Sequence, residues 1–182
     1  PPTRKGPVPP VADDEHPRPA TDMETLTKMK PLYEGGVTTA GNASGVNDGA
    51  VAIMMGNLKA GEKAGSKPIA RIVATASAGV PPHIMGIGPV AASKKALDRA
   101  GLTIKDMDII EINEAFAAQV LSCLKGLGVA FDDKRVNPNG GAIAVGHPLG
   151  ASGARLALTA APNWCGGASG EIRNTFSAIG SS

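Results

Sequence analysis

A histidine in a turn rich in glycine and proline is the first residue in this sequence that could do chemistry. The run NGGAIAVGHPLGASG places His147 between Gly146 and Pro148. The residues AIAV (142–145) predict a short strand, which would deliver the imidazole into a turn just before a helix. Such a turn holds an imidazole rigidly while backbone and substrate approach closely. A buried histidine bonded to the backbone explains the pattern equally well.

Two further polar junctions and two cysteines have simple structural interpretations. Asn113 precedes a predicted helix, where asparagine is a favoured N-cap, so capping is a simpler interpretation than catalysis. Ser44 lies in the loop sequence GNASG and reads as an ordinary loop serine. Cys123 falls on the apolar face of a predicted helix and is expected to be a core thiol. Cys165 has no visible activating base, and two cysteines make no disulfide framework, so a reducing compartment is expected.

Hydrophobic periodicity and caps predict alternating helices and strands, and therefore an α/β fold with a mixed or parallel sheet. Residues 1–20 contain seven prolines and are expected to form an extended arm. The run Ala50–Met55 fits a buried strand or the start of a helix. The predicted helices span 22–30, 89–100, 114–127 and 151–161, the last stopped by Pro162, and the predicted strands span 68–78, 108–112 and 142–145.

Composition excludes several function classes. The net charge of +2, without a run of Lys and Arg, argues against a nucleic-acid partner. The apolar stretches are far too short to span a membrane. A hydrophobic fraction of 42% supports a real core, which must be aliphatic because aromatic residues make up only 3%. No hydrophobic leader is visible, and a start at Pro1 without Met favours a fragment or a processed product.

Four motifs together resemble the thiolase family. They are NGGAIAVGHPLGASGAR, INEAFAAQ, MGIGP and AGNASGVNDGA, and the arm sequences TRKG, DEHPRP and KMKP agree with them. The resemblance covers residues 3–161. It implies an acyltransferase for Claisen condensation of acetyl-CoA or thiolysis of 3-ketoacyl-CoA, as in fatty acid metabolism and β-oxidation. Acyl-CoA thioesters and coenzyme A would be substrates, with no bound cofactor. The resemblance also implies a homo-oligomer inside the cell, in cytosol, mitochondrion or peroxisome, and its arm slightly favours a short acyl chain.

The family's fold implies a layered αβα half, with a mixed sheet and helices on both faces. By this resemblance residues 1–45 are the end of a lid-like loop region that covers coenzyme A. Residues 46–66 complete the N-terminal half, and residues 67–161 form the C-terminal domain. Residues 162–182 are a divergent tail, because the resemblance is lost from Pro162 onward.

The resemblance also assigns roles to individual residues. His147 would activate a nucleophilic cysteine and donate a hydrogen bond to the thioester oxygen. Asn113 would hold a water that supplies the second donor of an oxyanion hole. Ser44 would contact the pantetheine arm. Met85 and Phe116 would line the acyl pocket, although core packing is an equally good interpretation of both.

The sequence departs from the family at both cysteines that perform its chemistry. The nucleophilic cysteine belongs to a part of the family that precedes anything present here. The second, in a C-x-G-x-G turn, should fall near Ser177, where the sequence reads NTFSAIG. Covalent catalysis needs nucleophile and base within hydrogen-bond reach. This chain alone is therefore expected to be inactive.

Two alternatives come from other classes. Gly86–Ala91 fits the dinucleotide-binding pattern G-x-G-x-x-A, and Glu111 follows where a ribose-binding acid belongs, which suggests an NAD-dependent oxidoreductase. Against it, Pro81 and Pro82 stand where a strand should lead into the first glycine. The other alternative is a non-catalytic CoA-binding or assembly module derived from a thiolase.

Overall fold

A computed structural model describes residues 10, 12–14, 16–166 and 175–178, with the backbone alone for 162–166 and 175–178. Short 3-10 helices span Pro82–Ile87 and Ile104–Asp106. The α-helices are α1 (Met23–Lys28), α2 (Leu58–Lys63), α3 (Gly88–Ala100), α4 (Ala117–Leu127), α5 (Ala142–Val145) and α6 (Ser152–Gly166), and the strands are β1 (Ile109–Ile112) and β2 (Thr175–Ala178).

Helices α1 and α3 have the ends that their sequences predict. Asp22 caps α1, and its Oδ1 atom accepts a hydrogen bond of 2.7 Å from the backbone N–H of Thr25. Pro89 lies in the first turn of α3, and Gly101 ends the helix in the left-handed conformation with φ +68°. These caps are local features, so the predictions over 22–30 and 89–100 are confirmed to within two residues.

The hydrophobic core lies between β1 and α4. Ile110 and Ile112 are fully buried, and they belong to one cluster with the apolar face of α4. That face consists of Val120, Cys123, Leu124 and Leu127, as predicted from the spacing. Cys123 is therefore a core thiol. Phe116 precedes the helix as its N-cap and is 46% exposed, so it is not part of this core.

Strand β1 is hydrogen-bonded on both sides. It runs parallel to β2, with Ile109 opposite Thr175 and Ile112 opposite Ala178. On its other edge Ile110 bridges Val136 in a parallel sense. The chain is thus α/β, as predicted. Within the described ranges the sheet has two strands and is parallel, so the mixed sheet and the αβα layering stay predictions.

Two apolar runs that predicted regular structure lack it. Neither Ala50–Met55 nor 68–78 forms a strand, and Met54 is 91% and Ile72 63% exposed. A β-rich run becomes a strand only when a second backbone pairs with it. No described residue forms a ladder with either run, which explains why both predictions are wrong.

Three boundaries also differ from the predicted ones. Residues 142–145 form one helical turn, not a strand. Helix α4 begins at Ala117, three residues late, because Ala43 bridges Phe116 in an antiparallel sense and keeps that residue extended. Helix α6 continues through Pro162 to Gly166. Proline removes one hydrogen bond, but its fixed φ is itself helical, so the predicted stop is wrong.

Within the described ranges no helix is long and apolar enough to cross a bilayer.

Candidate active site

A segment of the chain near Ser44 joins the two loops that carry the predicted catalytic residues. The backbone N–H and the hydroxyl of Ser44 both donate to the carbonyl of Ala115, at 3.0 and 3.1 Å. Two residues further on, Val46 bridges His147 in a parallel sense. The loop after β1 and the turn after α5 are therefore held against the same short segment, which brings Asn113 and His147 together.

The imidazole of His147 is hydrogen-bonded at both nitrogens. Its Nε2 atom lies 3.3 Å from Nδ2 of Asn113, and its Nδ1 atom lies 2.6 Å from the Ser152 hydroxyl. That hydroxyl donates to the carbonyl of Pro148 at 3.1 Å, so it accepts the proton of Nδ1. The amide nitrogen of Asn113 is a donor, and Nε2 accepts from it. This tautomer leaves the lone pair of Nε2 as the basic site of the ring.

The surroundings keep this imidazole neutral. Burial lowers the pKa of His147 below its ordinary value of 6.5, and the positive charge of Arg155 lowers it further. A histidine with a lowered pKa is a free base at neutral pH. It is ready to take a proton and can donate one in a later step.

The lowered pKa of His147 predicts the acid limb of a pH profile. In an active enzyme that contains this part of the chain, and if His147 is the base, kcat/KM falls only below pH 6.5, because the lone pair is lost only when the ring protonates. Replacement of Arg155 by Gln removes a positive charge and moves this limb to higher pH. The matched control is Lys94→Gln, which removes an exposed cation from α3. A limb that stays in place in R155Q contradicts the electrostatic effect of Arg155.

A glycine and an asparagine fix the backbone at His147. Gly146 has φ +97° and ψ 163°, a conformation that is essentially restricted to glycine. The next backbone N–H, that of His147, donates to Oδ1 of Asn47 at 3.0 Å. Asn47 therefore sets the direction of the peptide bond from which the His147 side chain extends.

A partly buried hydrogen-bonded brace supports the helical turn before His147. The carboxylate of Glu114 accepts hydrogen bonds from Asn137 Nδ2 at 2.8 Å and from the N–H of Ile143 at 3.2 Å. Asn137 also pairs with Ile112 through both side-chain atoms, at 2.8 and 2.9 Å. A Cβ atom at Gly141 would overlap the Glu114 carboxylate. The brace joins the end of β1 to α5, and it explains why 142–145 is helical.

Removal of the Asn137 side chain tests this brace. We expect Asn137→Ala to lower the free energy of unfolding by about 3 kcal/mol, because it leaves the buried backbone groups of Ile112 and the partly buried carboxylate of Glu114 without this partner. The control is Asn57→Ala, which removes an exposed cap of α2 and should cost about 1 kcal/mol. Urea denaturation followed by circular dichroism measures both. An equal decrease in the free energy of unfolding in the two variants would show that the brace contributes no more to stability than an exposed helix cap.

The predicted site residues are distributed unevenly around the imidazole. His147 and Asn113 are in direct contact, and Asn113 does not cap α4, whose N-cap is Phe116. Ser44 lies beside them through its bonds to Ala115. Phe116 is half-exposed at the same junction. Met85 is 46% exposed on the Pro82–Ile87 helix, outside this hydrogen-bonded network.

Four residues of the site have no role in the sequence-based prediction. Asn47, Glu114 and Asn137 act through contacts distant in sequence, and each lies in or near a polar junction without a signal of its own. Ser152 is easier to find, because it follows His147 by five residues within the same glycine-rich motif. A hydroxyl near the first turn of a helix commonly bonds a polar group at that end.

Three other interpretations of the site can be compared with the structure. Cys123 is fully buried, its thiol donates to the carbonyl of Gly86 at 3.2 Å, and burial raises its pKa, so it is not a nucleophile. The dinucleotide pattern fails, because Gly86 lies in a 3-10 helix and Glu111 is fully buried within β1. Among the described residues no group of His, Cys, Asp and Glu could hold a metal ion. Cys165 lies outside the described side chains.

Comparisons with known proteins agree with the motifs and the geometry. The family model "thiolase, C-terminal domain" matches residues 66–166, and "thiolase, N-terminal domain" matches residues 2–59. A β-ketoadipyl-CoA thiolase of Pseudomonas aeruginosa is 60% identical over 151 residues, which are 82% of this chain and 38% of that protein. A 3-oxoadipyl-CoA/3-oxo-5,6-dehydrosuberyl-CoA thiolase of Escherichia coli is 58% identical over 158 residues, 86% of this chain and 39% of that protein.

A solved structure is similar as well. The crystal structure of human mitochondrial 3-ketoacyl-CoA thiolase in complex with CoA has a TM-score of 0.75 and 51% identity, over 79% of this chain and 36% of that one. This chain therefore spans 36 to 39% of the length of these three proteins. One family model alone covers more than half of the chain, and relatives and fold agree with it. The chain belongs to the thiolase family.

Proposed function

We propose that this chain supplies the histidine-bearing part of a thiolase-type acyltransferase site that acts on acyl-CoA thioesters. The observation that carries the proposal is the 3.3 Å contact between Asn113 Nδ2 and His147 Nε2. It places a neutral base and an amide donor side by side at the junction of three loops. The relatives that share this part of the chain are named as thiolases.

The neutral His147 would act twice in one cycle. It would first accept the proton of a cysteine thiol at Nε2, so that the thiolate can attack the 3-keto carbonyl. The resulting Nε2–H would then donate to the enolate oxygen of the acetyl-CoA unit as the bond between C2 and C3 breaks. Ser152 supports both steps, because it holds the proton on Nδ1 and so fixes the direction of Nε2. Preorganised donors of this kind usually give the largest catalytic contribution.

Asn113 would supply the second donor through a water. Its Oδ1 atom is buried and has no hydrogen-bond partner among the described residues. An amide oxygen in that state accepts a hydrogen bond readily, which is what a water needs in order to be held there. The water would donate its other hydrogen to the enolate oxygen.

The remaining predicted residues would contact the substrate around this centre. Ser44 would face the pantetheine arm, and Phe116 and Met85, each 46% exposed, would line the acyl pocket. We propose two candidate substrates, β-ketoadipyl-CoA and the shorter acetoacetyl-CoA. The first is proposed because the similar Pseudomonas protein is named a β-ketoadipyl-CoA thiolase. Coenzyme A is a substrate in this scheme, in keeping with the related human thiolase in complex with CoA.

Neither cysteine of this chain fits the nucleophile. Cys123 is excluded as the nucleophile by its burial. Cys165 lies in a glycine-rich sequence without a visible activating base, which argues against it as the nucleophile. We therefore propose that the 182-residue chain alone does not turn over. Thiolysis of acetoacetyl-CoA and β-ketoadipyl-CoA by the purified chain should give no release of acetyl-CoA. Turnover that survives mutation of both cysteines would overturn this assignment.

A chimaeric protein tests the function itself. Residues 3–161 would replace the aligned portion of the Escherichia coli thiolase, which is 58% identical to this chain over 158 residues. The remainder of that protein would supply the two cysteines that the family resemblance implies. We expect thiolysis of β-ketoadipyl-CoA by the chimaera. A soluble, folded chimaera without activity would contradict the proposed function.

A non-catalytic CoA-binding or assembly module remains the second candidate. CoA titrated calorimetrically into the chain and into its His147→Ala variant separates the two. Affinity that is unchanged in the variant, together with an inactive chimaera, would favour the module.

We also propose that the protein self-associates. Apolar side chains of the run 53–55 are exposed in the described structure, including Met54 at 91% and Met55 at 71%. An exposed apolar run of this kind is commonly covered by another protein surface. Light scattering that gives a stable monomer at high concentration would contradict the proposal.

A further inference from the structure

We propose that His16 and Asn47 form a positioning pair that couples the N-terminal arm to the backbone of His147. His16 Nδ1 lies 3.3 Å from Nδ2 of Asn47, and His16 Nε2 lies 3.0 Å from the carbonyl of Ile143. Asn47 Oδ1 accepts the N–H of His147 at 3.0 Å. One arm residue is thus two hydrogen bonds away from the residue that would do the chemistry.

The donors and acceptors of this chain of contacts fit in one direction. The carbonyl of Ile143 can only accept, so Nε2 of His16 carries the proton and Nδ1 accepts from the amide nitrogen of Asn47. That orientation of the amide directs Oδ1 to the N–H of His147. If His16 is lost, the arm no longer offers an acceptor that selects the nitrogen over the oxygen of the Asn47 amide. The reversed amide would place a donor against the N–H of His147.

Two glycines leave the space that the pair occupies. A Cβ atom at Gly45 would lie 2.8 Å from Cε1 of His16, and one at Gly146 would lie 2.8 Å from Oδ1 of Asn47. Real Cβ atoms do not approach so closely. Glycine is therefore needed at both positions to leave room for His16 and Asn47. A chance contact between a loose arm and the surface would not need such a fit.

The arm is anchored at the same point by its own local bonds. The backbone N–H of His16 donates to the carboxylate of Asp14 at 3.0 Å. His16 also joins two parts of the segment 142–147, since it bonds Ile143 of α5 directly and reaches His147 through Asn47. Docking of the arm through His16 therefore also fixes the direction of the peptide bond at His147. His16 acts through Asn47 and is a positioning residue.

The test uses the histidines themselves. The chain contains three, at positions 16, 83 and 147, so ¹⁵N-histidine NMR of the 182-residue chain gives three imidazole spin systems. We expect His16→Ala and Asn47→Ala to shift the imidazole signals of His147. The matched control is His83→Ala, which removes an exposed histidine from the Pro82–Ile87 helix and should leave those signals in place. Unchanged His147 signals in a folded His16→Ala chain would overturn the proposal.

A conservative variant separates positioning from folding. His16→Gln keeps a side-chain donor and acceptor and should restore part of the wild-type His147 signals. Asn47→Asp keeps the oxygen that faces His147 but presents no donor to His16. It should release the arm, seen as faster proteolysis near residue 16, while the His147 signals move less than in Asn47→Ala. If His16→Gln and His16→Ala are equally perturbed, the hydrogen bonds do not carry the coupling.

The effect on rate rests on the proposed function. In the active chimaera, we expect His16→Ala to lower kcat by about 10-fold or more with a smaller change in KM, because displacement of a catalytic group by 1 Å costs up to about 10²-fold. An inactive wild-type chimaera would contradict the proposed function. The coupling between His16 and His147 would still be tested by the NMR experiment alone. An active chimaera whose kcat is the same in His16→Ala would overturn the proposal that this pair positions His147.

Discussion

Replacement of His147 by alanine should lower kcat/KM for thiolysis in the chimaera by at least about 10³. The loss of one oxyanion donor costs about 10² to 10³, and the loss of a positioned general base costs about 10² to 10⁴. His147 would fill both roles with one nitrogen, so the two losses fall on the same variant but do not simply multiply. Steady-state kinetics with β-ketoadipyl-CoA and CoA measure the effect.

The fall should appear in kcat as well as in kcat/KM. The base and the donor are used after the substrate is bound, so binding alone is little changed. His83→Ala is the control, because it removes the only exposed histidine outside the network in the described part of the chain. Equal rates in wild type and His147→Ala would eliminate His147 as the catalytic base. Equal losses in both histidine variants would point to a general effect on folding.

Locally determined features of this fold could be predicted from the sequence. Asp22 begins α1 and Gly101 ends α3 through bonds within a few residues, and both signals are visible in the sequence. The buried run of β1 and the apolar face of α4 follow from hydrophobic spacing. The contact between Asn113 and His147 is different. Only the resemblance to a family links these two residues, because a local interpretation of the sequence favours a helix cap for Asn113.

Features that depend on distant contacts could not be predicted in this way. The tetrapeptide AIAV has an apolar strand-like pattern, yet it is helical because the carboxylate of Glu114 accepts the N–H of Ile143 from 29 residues away. Asn47 bonds the N–H of His147 across 100 residues. No pattern within a short window of sequence predicts that Glu114 bonds Ile143 or that Asn47 bonds His147. The run 68–78 shows the converse, since no described segment forms a β-ladder with its β-rich residues.

Replacement of Gly146 by alanine should be among the most disruptive single-methyl changes in the site. At φ +97° and ψ 163° the backbone lies in a region that is essentially restricted to glycine, and a side chain there costs about 1 to 3 kcal/mol. The added Cβ would also lie 2.8 Å from Oδ1 of Asn47. Asn47 must move, and the N–H of His147 then loses its acceptor, at about 1 kcal/mol or more.

We therefore expect Gly146→Ala to lower the free energy of unfolding by about 3 kcal/mol, and to lower kcat of the chimaera by about 10²-fold through displacement of His147. Urea denaturation and steady-state kinetics measure the two effects. The matched control is Gly101→Ala, because Gly101 also has positive φ, +68°, but a Cβ there meets nothing within 4 Å. That variant should cost about 1 kcal/mol and leave kcat unchanged. If the two variants are equally stable and equally active, the close approach of Asn47 to Gly146 does not hold the turn that carries His147 in place.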